Sequence, residues 1–262
     1  MKVIYSFKQF SNHYKPLDDS FYRLAKYSVE CASKWYKTKL YSDKTSIKVF
    51  NSYGVYFDEY EVLEEIEQYK GRNYCIPKLY AMIAETNPYI HLDFDAIVFE
   101  KLNFKESITY GNVEIDLKYR ANTDAIHYIL KHYIEPYRLV LKDKFDTEID
   151  DDWDEIPNHS LIAVKNPDLV RSIYTNILSL VAENELEKVT PMIIEQYLLY
   201  RYLVKNKIKV GYISKHVIPG IEKKIKGSYK FYHFQKYNKD TPESNFINNF
   251  LKSYYKHTNK LV

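Results

Sequence analysis

Asp93 and Asp95 stand one residue apart, directly after the apolar run Tyr89-Ile90-His91-Leu92. A strand that delivers two carboxylates together cannot take both into the interior, because an ionised carboxylate without a partner is costly to desolvate. The pair therefore needs a cation or a solvent-facing turn. A hard divalent ion such as Mg2+ or Mn2+ takes oxygen ligands, bridges carboxylates to phosphate oxygens and keeps positions open for substrate. A departing diphosphate requires that chemistry. Asp-x-Asp is also a common surface turn, so the pair acquires meaning only from what positions it.

Residues 2 to 7 form an apolar strand, and Asp18-Asp19-Ser20 caps a helix whose stripe is Phe21, Leu24, Ala25, Val29 and Ala32. Lys39-Leu40-Tyr41-Ser42-Asp43 reads as a second strand ending in a polar turn, Gly54-Val55-Tyr56-Phe57 as a third, and the acidic residues 59 to 69 as a helix. Pro77 suits a first helical turn, with Leu79, Met82 and Ile83 on one face, and that helix stops before Asn87-Pro88. Strands alternating with helices imply a parallel sheet in this half. Asp93 and Asp95 then fall at the carboxyl end of a central strand, where open α/β sheets bind ligands.

The second half is less regular. It offers a strand at Ile108 to Val113, a helix from Asn122 to Leu139, an acidic loop from Asp146 to Glu155 and a buried strand at Leu161 to Val164. Helices follow at 167 to 183 and 191 to 204, a strand at Lys209 to Ile213, and a C-terminal helix and tail over 241 to 262, opened by Thr241-Pro242-Glu243. The expected architecture is one α/β domain over residues 1 to 262, a Rossmann-like mixed sheet flanked by helices.

Composition narrows the functions. With 262 residues and 45% hydrophobic content the chain can bury a substantial core, and a net charge of +3 lacks the basic excess of a dedicated nucleic-acid binder. Cys31 and Cys75 are too few for a zinc framework or a disulfide scaffold. The apolar start is too short for a signal peptide and no run spans a bilayer, so a cytoplasmic protein with at most peripheral membrane contact is expected. The 28 tyrosines are spread along the whole chain, which favours a compositional origin over a sugar-stacking platform.

A phosphatase competes for the same residues. Ile90 to Val98 also resembles the first motif of haloacid-dehalogenase-like phosphatases, with Asp93 as nucleophile and Asp95 as acid/base. That scheme asks for a hydroxyl at another strand end, which Thr109 could supply, and for an acidic pair, for which Asp150-Asp151-Asp152 follows only a poor strand.

Leu92-Asp93-Phe94-Asp95-Ala96-Ile97-Val98 with Leu102 resembles the metal-binding segment of GT-A glycosyltransferases related to glycogenin and the lipopolysaccharide galactosyltransferases. Asn158-His159-Ser160 resembles their Asn-Ala-Gly strand with Ser160 in place of glycine, and Glu195-Gln196 their Asp-Gln pair. His233, Lys236 and Lys239 keep the spacing of their C-terminal His, Gly and Lys, with Lys236 replacing the glycine and Asp240-Thr241 the usual Pro-Trp. The Tyr-Ser-Phe strand, Tyr-Ser-Asp turn and Lys-Leu-Tyr-Ala helix look closer to an uncharacterised bacterial group of GT-A-like proteins.

The resemblance implies Mn2+ or Mg2+ held by Asp93, Asp95 and His233, with Lys239 on the diphosphate. It implies a nucleotide base framed by Tyr5, Ser6 and Asp43, and donor contacts from Asn158 and Lys78. Glu195 and Gln196, with Lys78, become the candidates for catalysis or for orienting sugar hydroxyls. Each has a plainer alternative: Asp43 a turn residue, Lys78 a snorkelling surface lysine, Glu195 a helix N-terminal acid, and Glu222 to Gly227 a solvated basic face instead of a phosphate-closing loop. The implied activity is transfer of a monosaccharide from a nucleotide-diphosphate sugar, a UDP-sugar foremost, to a saccharide, lipid-linked or protein acceptor, in surface polysaccharide or glycoconjugate synthesis. A catalytically silent GT-A-like scaffold is the non-enzymatic alternative.

Overall fold

The structure is a computed structural model that describes residues 1–8, 19–71, 73, 75–116, 155–184, 192–213, 231–233 and 249. The strands are β1 (Lys2–Phe7), β2 (Thr38–Ser42), β3 (Glu59–Val62), β4 (Tyr89–Leu92), β5 (Ala96–Val98), β6 (Ile108–Asp116), β7 (Glu155–Val164), β8 (Val210–Tyr212) and β9 (Phe231–His233). The helices are α1 (Asp19–Ser33), α2 (Lys44–Ser52), α3 (Glu64–Gln68), α4 (Cys75–Ala84), α5 (Pro167–Asn184) and α6 (Leu198–Lys205), with a π-helical stretch, Met192–Tyr197, leading into α6.

Seven strands form one sheet in the order β3-β2-β1-β4-β7-β6-β8. From β3 to β4 all neighbours are parallel, whereas β7 runs antiparallel to both β4 and β6, and β6 is parallel to β8. The result is a mixed sheet flanked by helices, with β4 at its centre. All four residues of β4 are buried, as a strand covered on both faces requires.

Alternation along β1 separates two cores. Ile4 packs on one face with Leu79, Met82, Ile162 and Tyr174, the side of α4 and α5, while Val3 and Tyr5 pack on the other with Tyr22, Ala25 and Val29 of α1. Of the α1 stripe expected from spacing, Leu24, Ala25, Val29 and Ala32 are buried and Phe21 is half-buried, while Tyr22, Tyr27 and Cys31 are buried as well; Pro77 sits in the first turn of α4.

The third strand departs from expectation. Gly54 to Phe57 are not a strand; Gly54 has φ +69 and its N–H bonds Asn51 O, closing α2 in a left-handed turn. The Asp58 carboxylate then accepts from the Thr38 N–H at 2.7 Å and the Thr38 hydroxyl at 3.0 Å, so pairing with β2 starts only at Glu59. The acidic helix shortens to Glu64–Gln68. The expected helix at 122–139, the acidic segment up to 154 and the C-terminal helix, residue 249 apart, lie outside the described residues. Among the described residues no helix is long and apolar enough to cross a membrane.

Candidate functional site

The turn that carries the two aspartates is held from both sides. The Asp93 N–H donates to Ser160 O of β7 at 2.8 Å, and the Ala96 N–H closes back on Asp93 O at 3.0 Å. Phe94, between the aspartates, is buried and stacks on Tyr5 and Phe50 with ring centroids 5.0 and 4.9 Å apart. With the phenylalanine anchored in the core, Asp93 and Asp95 are left half-buried at the carboxyl edge of the sheet. The chain continues at once into β5, whose antiparallel pairing with β9 sets the His233 backbone opposite Ala96. A residue from the far end of the sequence thus joins the Asp-x-Asp turn, although only the backbone of His233 is described.

Lys78 lies beneath that turn. It is 5% exposed, and its ammonium contacts Asp93 Oδ1 at 2.9 Å, the Glu195 carboxylate, and the carbonyl of His159 at 2.6 Å. Burial pushes its pKa down, but the attraction of Asp93 and Glu195 outweighs that and raises it above the ordinary lysine value. The alternative of a surface lysine is excluded.

Two neutral histidines flank this cluster. His91 is buried, with Nε2 at 2.9 Å from Ser6 Oγ and Nδ1 at 3.7 Å from Asp93 Oδ1. His159 is also buried, stacked on Tyr110 at 4.9 Å, with Nδ1 3.8 Å from Glu195 Oε1 and 3.4 Å from the Tyr174 hydroxyl. Burial, then the nearby Lys78, holds both imidazoles well below the usual histidine range. His159 reaches this place through an irregularity in pairing: Tyr110 and Asn112 of β6 face Ile162 and Asn158 of β7, so β7 carries extra residues there. Such a bulge re-aims side chains beside a site.

The other predicted residues divide. Asp43 caps α2, accepting from the Ser46 N–H at 2.8 Å and the Ser46 hydroxyl at 2.6 Å, so its turn role is real. Tyr5 was expected beside a nucleotide base, but its side chain is fully buried and bonded to Ser28 at 3.2 Å; the ring has no surface to offer a ligand. Asn158 is buried, its Oδ1 accepting from the Ser160 N–H at 2.8 Å, and Gln196 is half-buried beside Glu195. Glu195 is buried in the π-helical stretch instead of opening a helix at the surface. Lys236 and Lys239 lie outside the described residues.

Sequence reasoning gave no role to His91 or His159. A histidine inside the otherwise apolar Tyr89–Leu92 was the available signal for His91; His159, between Asn158 and Ser160, carries no such signal. The phosphatase alternative loses its hydroxyl: Thr109 pairs with Ala163, which pairs with Ile90, so it stands three residues short of Asp93 and two strands away. Among the described residues no three His, Cys, Asp or Glu side chains converge as a closed metal cage. Asp93 and Asp95 still fit a hard ion, because Mg2+ in particular is commonly held by one or two carboxylates and completed by substrate phosphates.

One family model, described as "Family of unknown function (DUF6734)", matches residues 1–262. No curated protein matches the chain. Among solved structures, an active-site mutant of LgtC is 12% identical, with 97% of this chain and 96% of that chain covered and a TM-score of 0.48. The glycosyltransferase GlyE of Streptococcus pneumoniae TIGR4 is 10% identical, with 98% and 64% covered and a TM-score of 0.44. Mouse xyloside xylosyltransferase 1 in its apo form is 10% identical, with 89% and 97% covered and a TM-score of 0.44. With TM-scores below 0.5, none of these likenesses bears on the chemistry of this chain.

Proposed function

The chain belongs to the family of unknown function DUF6734, and we propose that it is a metal-dependent glycosyltransferase of the GT-A type. It transfers a monosaccharide from a nucleotide-diphosphate sugar, a UDP-sugar foremost, to a hydroxyl of a saccharide, lipid-linked or protein acceptor. The observation that carries this reading is the gathering of carboxylates at the end of β4. Among the described residues, Asp93 and Asp95 stand together on the turn and Asp93 and Glu195 share the ammonium of Lys78. Paired carboxylates at a sheet's carboxyl edge are the donor set that a hard divalent ion takes. A further support is the resemblance of this segment, of Asn158 to Ser160 and of Glu195-Gln196, to the GT-A pattern.

In this scheme Asp93, Asp95 and His233 would hold Mn2+ or Mg2+, and the ion would supply charge stabilisation for a departing diphosphate. The chain's own groups do the positioning. Lys78 fixes the rotamers of Asp93 and Glu195, so both carboxylates are oriented before substrate arrives. Ser6, bonded to His91 at the end of β1, and Asp43, at the end of β2, mark the side of the edge that takes the nucleotide. Lys239 neutralises diphosphate charge from the C-terminal segment. The bond from the anomeric carbon to the diphosphate oxygen breaks, the acceptor oxygen bonds to that carbon, and the acceptor proton passes to the departing diphosphate or to water.

Titration calorimetry with Mn2+ and a panel of nucleotide sugars tests this directly. Metal-dependent binding of one nucleotide sugar, abolished in Asp95→Asn, is expected. No such binding under any condition sinks the proposal, and binding without transfer or hydrolysis identifies the silent scaffold.

A further inference from the structure

An ammonium has three N–H donors. In Lys78 all three are engaged, by Asp93 Oδ1 at 2.9 Å, by Glu195 and by the His159 carbonyl at 2.6 Å, and the side chain is 6% exposed. No donor is left for a sugar hydroxyl or a phosphate oxygen, so the expected substrate contact is not available to this residue. Its position is fixed from behind as well, because its neighbours on α4, Ile76, Leu79 and Met82, are at most 2% exposed.

We propose that Lys78 is a built-in counter-cation that shares the Asp93 carboxylate with the divalent ion and keeps the ion weakly held until a diphosphate arrives. The inference rests on the transferase reading only in taking Asp93 as a metal ligand. Its physical basis is local. Asp93 Oδ1 accepts from the ammonium at 2.9 Å, so a metal that uses this carboxylate competes with Lys78 for its negative charge. A fixed positive charge at hydrogen-bond distance from a ligand oxygen also repels an incoming cation. The diphosphate brings negative charge that offsets this repulsion, and the ion then binds and leaves together with the nucleotide. The Glu195 carboxylate keeps the ammonium in place when the metal competes for Asp93.

The decisive variant is Lys78→Met with Glu195→Gln, which removes one charge of each sign and so leaves the formal charge of the site unchanged. Mn2+ affinity without nucleotide is read from free Mn2+ by electron paramagnetic resonance. About tenfold tighter Mn2+ binding than wild type is expected, about 1.4 kcal/mol, with a smaller gain on adding UDP. Unchanged or weaker binding overturns the proposal. Glu195→Gln alone retains the ammonium with one carboxylate fewer, and is expected to weaken Mn2+ binding severalfold; tighter binding there also overturns it. If wild type and Asp93→Asn show the same Mn2+ binding with UDP present, the metal site fails, and the transferase reading with it. If Asp93→Asn loses that binding while the double variant matches wild type, only the role of Lys78 falls.

Discussion

Truncating Glu195 while Lys78 stays buried leaves an ammonium short of one counter-charge in a place water does not reach. Glu195→Ala is therefore expected to cost about 3 to 5 kcal/mol, the range for breaking a buried ion pair by removing one partner, read as a lowered urea midpoint. Asp95→Asn, at the half-exposed edge, should cost much less and instead remove Mn2+-dependent nucleotide binding. An equal loss of stability in the two would show that the Glu195 pair is not buried as described. Tyr5→Phe removes the hydroxyl bonded to Ser28 and should cost about 1 kcal/mol with nucleotide affinity unchanged; a clear fall in affinity would return Tyr5 to the ligand site. The carboxylate pair was legible in the sequence because a polar Asp-x-Asp after an apolar strand needs an explanation. The burial of Lys78 was not legible. A lysine is buried only when partners neutralise it, and its partners are Asp93 one strand on and Glu195 far along the chain.

At the scale of elements, α2 carries two tests. Asp43→Ala removes both bonds from Ser46 and should cost about 1 kcal/mol as a lost N-cap, whereas Asp43→Asn keeps the cap. If Asp43 also contacts the base, the Asn variant should retain stability yet lose nucleotide affinity, and equal effects on both properties would leave capping as its only role. Gly54→Ala forces a Cβ into left-handed backbone at φ +69 and should cost about 1 to 2 kcal/mol, measured by thermal unfolding; no loss would mean the turn closing α2 adapts. Helix α4 and strand β4 were predictable because Pro77, the apolar spacing and Asn87-Pro88 are local signals. Strand β3 was misplaced toward Gly54 to Phe57 because that run is apolar, whereas Glu59–Val62 is held by pairing to β2 and by the Asp58 link to Thr38, neither of which is local. The β7 irregularity that presents His159 depends on its register with β6 and leaves no mark in either strand alone.

For the whole molecule, the two buried histidines predict the pH response of the metal-free protein. Both are held well below the ordinary 6.5 by burial and Lys78, with Asp93 and Ser6 facing His91 and Glu195, Tyr110 and Tyr174 facing His159. Unfolding lets each imidazole take a proton below about pH 6.5, so each lowers stability by about 1.4 kcal/mol per pH unit as pH falls further. Glu85 enters later. Burial alone would raise its carboxyl, but the Asn87 N–H, Lys2 and the Tyr41 hydroxyl outweigh that and lower it, so its contribution is present above the ordinary 4.5 and lost as pH falls through the depressed value. Urea midpoints should hold steady above about pH 7 and decline from about 6.5; a midpoint unchanged down to about pH 5 would contradict neutral burial of these histidines. Local signals account for most of the α/β alternation, much of the α1 stripe and the position of Asp93 and Asp95 at the end of an apolar strand, since periodicity, capping and the cost of burying carboxylates act over a few residues. Long-range pairing sets the antiparallel run of β7 beside β4, the pairing of β9 with β5 next to the aspartates, and the enclosure of Lys78 by Asp93, Glu195 and His159. Those outcomes depend on strand register and on charge neutralisation between distant segments, and no local stretch of the chain encodes either.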